Sequence, residues 1–152
     1  GMGTTIVAAV IIDSELLVAN VGDSRAYLYR NFQIKQLTED HTLVQELVKS
    51  GEITEEEAKK HPQRNIVTQS LGITLNVQID FVRVTLKNED TILLCSDGLS
   101  NMLEDQYIKE ILGNYSDVNT QAQKAVLAAN EAGGRDNITV AIAKYLVREE
   151  VA

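Results

Sequence analysis

From Thr4 to Ile12 every position is apolar or threonine, and most are β-branched. That pattern predicts a strand buried on both faces. Asp13-Ser14 marks a turn and Leu16 to Val21 reads as a second strand, so residues 4–21 form a predicted hairpin. Gly22-Asp23-Ser24 interrupts the run. Ala26 to Arg30 is a third strand with Tyr27 and Tyr29 on one face, and Asn31-Phe32 turns into a short fourth strand from Gln33 to Leu37. Connections this short join antiparallel neighbours.

The periodicity then changes. Leu43 and Leu47, with Val44 and Val48, recur every fourth position, which predicts a helix over Thr42 to Ser50 that stops at Gly51. Thr54-Glu-Glu-Glu57 has the form of a capping box and opens a short helix that ends near His61-Pro62. Residues 38–72 therefore read as a mostly helical insertion between sheet segments. Alternation and β-branching resume at Val77 to Val84 and at Thr91 to Ser96, with Asn88-Glu89-Asp90 as the turn. Glu104 to Leu112 and Val118 to Ala132 are amphipathic, Gly133-Gly134 ends the second helix, and Asn137 to Leu146 is a last strand. Strands in blocks followed by helices imply an α+β fold rather than a parallel βαβ one.

The 152 residues suit a single domain. Aromatic residues are 5% and Trp is absent, so the core is aliphatic. A net charge of -8 disfavours nucleic acid and anionic membrane surfaces as partners, because both are held by Lys and Arg. No apolar stretch approaches the roughly 20 residues of a membrane span, no signal peptide is visible, and the expected location is cytoplasmic. The one cysteine, Cys95, lies in the apolar run Thr91-Ile-Leu-Leu-Cys95 and reads as a buried structural thiol.

Three aspartates share one context. Asp23 follows the Leu16–Val21 strand, Asp97 follows the Thr91–Ser96 strand, and Asp136 precedes the final strand. Strand ends can present all three at one rim of a sheet. Carboxylates gathered in a shielded place repel one another and call for a cation, and oxygen-only ligation suits Mg²⁺ or Mn²⁺. Taken singly, an Asp-Gly after a strand is a turn signal. Arg25 and Arg135 read first as ion-pair partners of nearby aspartates, Ser24 and Ser96 as hydrogen-bonding turn residues, His41 as a structural hydrogen-bonding histidine, and His61 as exposed and inert.

The order of short motifs adds to this reading. Gly3-Thr4-Thr5 is followed by Val18-Ala-Asn-Val-Gly-Asp-Ser-Arg25, Leu37-Thr-Glu-Asp-His41, Ser70-Leu-Gly72, Asp90-Thr-Ile-Leu-Leu-Cys-Ser-Asp-Gly-Leu-Ser100 and Gly133-Gly-Arg-Asp-Asn-Ile-Thr139. This series, from Gly3 to about Tyr145, resembles the successive motifs of the type 2C metal-dependent protein serine/threonine phosphatases in their bacterial form. The resemblance implies a sandwich of antiparallel sheets flanked by helices, with Asp97 and Asp136 as ligands of the metal centre and Asp23 as a ligand of a further ion. It also implies two or three Mn or Mg ions in the complete domain, with Gly98, Asn137 and His41 in supporting positions. The segment from about Thr42 to Ser70 corresponds to the family's flap. The implied reaction is hydrolysis of phosphoserine and phosphothreonine in proteins by a metal-activated water, with a cognate kinase as counterpart.

The sequence departs from the family at its start. An Arg…Asn-Glu-Asp segment and an Asp-Gly-x-Gly-Gly loop are absent, so residues 1–152 are expected to be a partial domain, inactive or nearly so alone. Uncovered sheet edges would then favour a homodimer or association with the missing half of the domain. The competing reading is a non-catalytic, pseudophosphatase-like binding module.

Overall fold

The computed structural model describes residues 1–73 and 76–147. Strands β1 (Ile6–Ile12), β2 (Glu15–Val21) and β5 (Asp80–Thr85) form one antiparallel sheet in the order β1-β2-β5. Strands β3 (Arg25–Arg30), β4 (Gln33–Gln36), β6 (Thr91–Cys95) and β7 (Val140–Lys144) form a second, in the order β4-β3-β6-β7. Helices α1 (Leu43–Ser50) and α2 (Glu55–Lys60) lie between β4 and β5. The one-turn helix α3 (Asp97–Ser100) leads to α4 (Asp105–Asn114) and α5 (Val118–Glu131).

Two cores define the layers. Leu16 and Val18 of β2 meet Ala26, Leu28 and Ile92 of the second sheet, so the sheets pack face to face. The other face of the second sheet, with Tyr27, Leu93 and Cys95, packs on Leu99 and on Ile108, Ile111, Ala125 and Ala129 of α4 and α5. The predicted burial of Cys95 is met, Tyr27 is buried as well, and burial pushes the Cys95 thiol up to about 12, leaving it protonated.

Local chemistry sets the element ends. Thr42 caps α1 and Gly51 ends it in a left-handed conformation. The Thr54/Glu57 capping box is formed in full. Asp13, Asn31 and Glu89 take positive φ in the turns between strands, where short polar or flexible side chains are tolerated.

The first strand differs from expectation. It is not buried on both faces: Ile6, Val10 and Ile12 are exposed, and with Leu17 and Phe81 they make an open apolar outer face on the first sheet. Strand periodicity does not distinguish a face that is covered from one that merely could be. The expected strand at Val77 to Val84 also begins later, at Asp80, and α3 is an unpredicted single turn too short to show periodicity.

One buried ion pair ties the two sheets together at the end away from Asp97. Asp90 is 1% exposed; Arg30 Nε donates to its Oδ1 at 2.8 Å and the Lys87 amide to its Oδ2 at 2.7 Å, while Arg30 Nη2 also donates to the Thr85 carbonyl. Desolvation opposes its charge, but the guanidinium and the amide outweigh that and hold the carboxyl below its ordinary value. The unfolded chain therefore takes up a proton first as pH falls, and the pair's stabilisation is present above about pH 4 and lost below it. Asp90→Ala is expected to cost about 3 kcal/mol at neutral pH in chemical denaturation, because Arg30 and the Lys87 amide lose their acceptor. The difference from the unmodified chain should shrink in acid; a pH-independent cost would contradict the ion-pair account.

Candidate metal centre

Register places the three aspartates. Arg25 of β3, Cys95 of β6 and Val140 of β7 are aligned across the second sheet. Asp23 just precedes β3, Asp97 just follows β6, and Asp136 just precedes β7, so all three leave the sheet at the same end.

Asp97 is the first residue of α3, and the buried Leu99 anchors that turn in the helix-side core. Ser96 fastens the Asp136 loop to it: Ser96 Oγ donates to the Asn137 carbonyl at 3.0 Å and accepts from the Thr139 amide at 3.0 Å, and the Ser96 amide donates to the Thr139 carbonyl. Gly98 sits directly under this loop. A Cβ there would lie 2.3 Å from the Asn137 carbonyl oxygen, so only glycine lets the loop come so close. The Asn101 amide group donates to Asp97 Oδ2, and Asn137 N–H donates to Asp136 Oδ1.

Asp23 is set by a separate device. Gly22 has φ +105 and leaves no room for a Cβ against Thr5. His41 is 8% exposed and grips this turn. Its Nδ1 accepts from the Gly22 amide at 3.1 Å, so the ring proton sits on Nε2 and is donated to Asp80 Oδ2 at 3.1 Å. The His41 amide also donates to the Gly22 carbonyl, and its own carbonyl accepts from Thr68. The segment carrying α1 and α2 is thus hinged beside Asp23, with Thr42 and Val67 bridged at its base.

The carboxylates feel one another. Partial burial pushes Asp23 up to about 6, helped by the charge of Asp97 and then of Asp40. Burial also raises Asp97, with the charge of Asp136 as the next cause. Asp97 is therefore the middle member of a chain of repelling acids. Among the described residues, no three His, Cys, Asp or Glu side chains converge on a single point. The acids form linked pairs rather than a closed cage, and a divalent ion beside them would take its remaining oxygen ligands from water or from other chain segments.

A nearby cation does not neutralise them. Arg25, read from the sequence as a partner of its neighbouring aspartate, pairs instead with Asp40: Nε donates to Oδ1 at 2.9 Å and Nη2 to Oδ2 at 2.6 Å. Its Nη1 donates to the Tyr27 hydroxyl, which donates to Asp105 Oδ1. Burial would disfavour the guanidinium charge, but Asp40 and Tyr27 outweigh that and hold it protonated. Arg135 makes no ion pair among the described residues. Asp40 and Asp80 were not singled out from the sequence; the only signal for Asp40 was its place in the Leu37–His41 motif.

Comparison with known proteins agrees with this architecture. The family model described as protein phosphatase 2C matches residues 1–47. The serine/threonine phosphatase Stp of Listeria monocytogenes is 48% identical over 140 residues, covering 92% of this chain and 56% of that protein. The serine/threonine phosphatase of S. agalactiae has a solved structure that superposes with a TM-score of 0.91 at 44% identity, covering 97% of this chain and 60% of that one. A structure of the catalytic domain of the serine/threonine phosphatase PstP in complex with two manganese ions superposes at 0.86 with 36% identity, over 97% of this chain and 60% of that one. The chain thus spans a little over half the length of the relatives it matches.

The closeness at Gly98 can be tested directly. Gly98→Ala is expected to cost about 1–3 kcal/mol in denaturant unfolding, since either α3 or the Asn137 loop must move. Equal stability of the variant and the unmodified chain would show that the loop is not held as described. With the strand order, the sheet-on-sheet packing and the sequence likeness all in agreement, this chain belongs to the protein phosphatase 2C family.

Proposed function

We propose that this chain carries Asp97, Asp136 and Asp23 as metal ligands of a protein serine/threonine phosphatase catalytic domain that uses manganese or magnesium, with two or three ions in the complete domain. The observation that carries the reading is the delivery of three carboxylates to one end of the second sheet, with Asp97 raised by the charge of Asp136 and Asp23 by that of Asp97, where the neighbouring guanidinium is committed to Asp40. Hard oxygen donors of this kind fit Mg²⁺ and Mn²⁺. Such ions supply charge to the phosphoryl oxygens and activate the attacking water.

The chain's own residues hold and aim the ligands. Ser96 and Gly98 set Asp136 against Asp97, and His41 sets the turn of Asp23. Residues 38–72, with α1 and α2, stand beside the site as a flap, and residues 1–152 are part of one catalytic domain. The protonated, buried Cys95 takes no part as a nucleophile. Substrates on this reading are phosphoserine and phosphothreonine proteins, and a serine/threonine kinase is the counterpart. Like the Listeria and S. agalactiae proteins in name, the complete domain acts on such phosphate esters. A lone reduced thiol suits the cytoplasm, where we place the activity.

The sequence contains no Asp-Gly-x-Gly-Gly loop, and on this reading the chain alone turns over little or no substrate. The test is manganese-dependent hydrolysis of a phosphothreonine peptide, by the chain alone and by the chain joined to its native upstream segment. Turnover is expected only in the longer protein, and Asp97→Asn or Asp136→Asn should abolish it. No turnover by either protein, with both folded, would favour the pseudophosphatase-like binding module.

The open outer face of the first sheet and the free edge of β1 give a second expectation. Apolar faces and unpaired edges of this kind recruit another chain. Light scattering of the isolated chain at micromolar concentration should give the mass of two chains. The mass of a single chain would contradict this.

A further inference from the structure

We propose that the groove between α4 and α5 seats a basic, apolar-anchored peptide segment that flanks the phosphorylated residue of the substrate; this rests on the phosphatase reading above. The groove has a volume of about 480 Å³ and is built from the α3–α4 connection, one side of α4 and the last turns of α5. Its floor is apolar, with Met102, Leu103 and Ala128, and Tyr107 stands at its side, 48% exposed. Three carboxylates, Glu104, Glu110 and Glu131, line it, and no Lys or Arg does.

Three observations point to a cationic occupant. First, none of these glutamates has an ion-pair partner among the described residues. Second, Glu131 ends α5, whose last turn contains no basic residue. A carboxylate at the negative end of a helix is disfavoured by the helix dipole, and Arg135, whose Nε lies 4.0 Å from where a Gly133 Cβ would stand, makes no ion pair with it. Third, the charge of Glu104 raises the pKa of Lys59 on α2, after the contributions of Glu56. The field of Glu104 thus favours a positive charge nearby.

The groove's position fits a substrate flank. The chain runs from Asp97 through α3 into Met102 and Glu104, and from Glu131 through Gly133 to Asp136. Met102 Sδ lies against Gly133, 3.9 Å from where a Cβ would stand. The connection that carries Asp97 therefore lines the groove, and the one that leads to Asp136 touches it at Met102. A peptide with its phosphate at the aspartates has an apolar side chain available for Tyr107 and Ala128, and basic side chains for the glutamate rim.

The test uses a labelled, unphosphorylated peptide with the core Arg-Leu-Arg, titrated by fluorescence anisotropy into the chain joined to its upstream segment. Glu110→Gln with Glu131→Gln is expected to weaken binding about fivefold, the scale of two part-screened charge contacts. A charge-matched control, Asp13→Asn with Glu89→Gln, removes two carboxylates from turns at the opposite ends of β2 and β6 and should not change it. Equal weakening by both pairs would show general attraction to an acidic protein, and no weakening by either would show binding elsewhere; each overturns the proposal. Hydrolysis separates the two levels. With phosphothreonine peptides, the Glu110/Glu131 pair should raise KM for the Arg-Leu-Arg peptide about fivefold at unchanged kcat, and leave KM alone when the arginines are replaced by glutamates. If p-nitrophenyl phosphate and both peptides are turned over but KM ignores the flanking charge, the groove proposal fails and the phosphatase reading stands. If nothing is turned over, the phosphatase reading fails, and the anisotropy result decides the groove by itself.

Discussion

The arrangement at the end of the second sheet depends on one steric fact: the Asn137 carbonyl occupies the space where residue 98 would otherwise carry a side chain. Because Gly98 has none, the loop before β7 can lie on the turn after β6, and Ser96 can fasten it with both its hydroxyl and its amide. Asp97 and Asp136 are brought into electrostatic contact as a result. Neither residue is strained into place by its own backbone; the closeness comes from packing one connection on another, with Leu99 holding α3 in the core beneath.

That closeness is unfavourable for the bare acids, and the fold does little to relieve it. The Arg25 guanidinium, two residues from Asp23, is drawn away into a bidentate pair with Asp40 and into contact with Tyr27 and, through it, Asp105. Sites where local charge remains uncompensated while the rest of the molecule is well satisfied are where function is expected to reside. The far end of the sandwich shows the contrast: there the buried Asp90 has a full set of donors from Arg30 and Lys87. One end of the molecule is neutralised internally, and the other leaves its acids without a guanidinium partner.

Much of this was legible in the chain. The hairpin through Asp13-Ser14, the capping box at Thr54 and the glycine stop at Gly51 are local signals, and each is realised. The three aspartates could be placed at strand ends because strand ends are also local. The partners were not legible. Arg25 is closer in sequence to Asp23 than to Asp40, but hairpin geometry returns Asp40 beside it, and only the register of β3 with β4 reveals that. His41 reaches Asp80 across the whole α1–α2 segment, a contact with no periodic signature. The exposed β1 departs from the expectation because hydrophobicity reports what a face prefers, and nothing among the described residues covers that face.

The central claim is that these carboxylates hold divalent ions. Anomalous diffraction at the manganese edge, from crystals of the chain joined to its upstream segment and grown with manganese, tests it most directly. The account predicts manganese in direct contact with Asp97 and Asp136, and a further ion in contact with Asp23. Manganese bound only elsewhere on the acidic surface, with these three side chains free of it, would contradict the account.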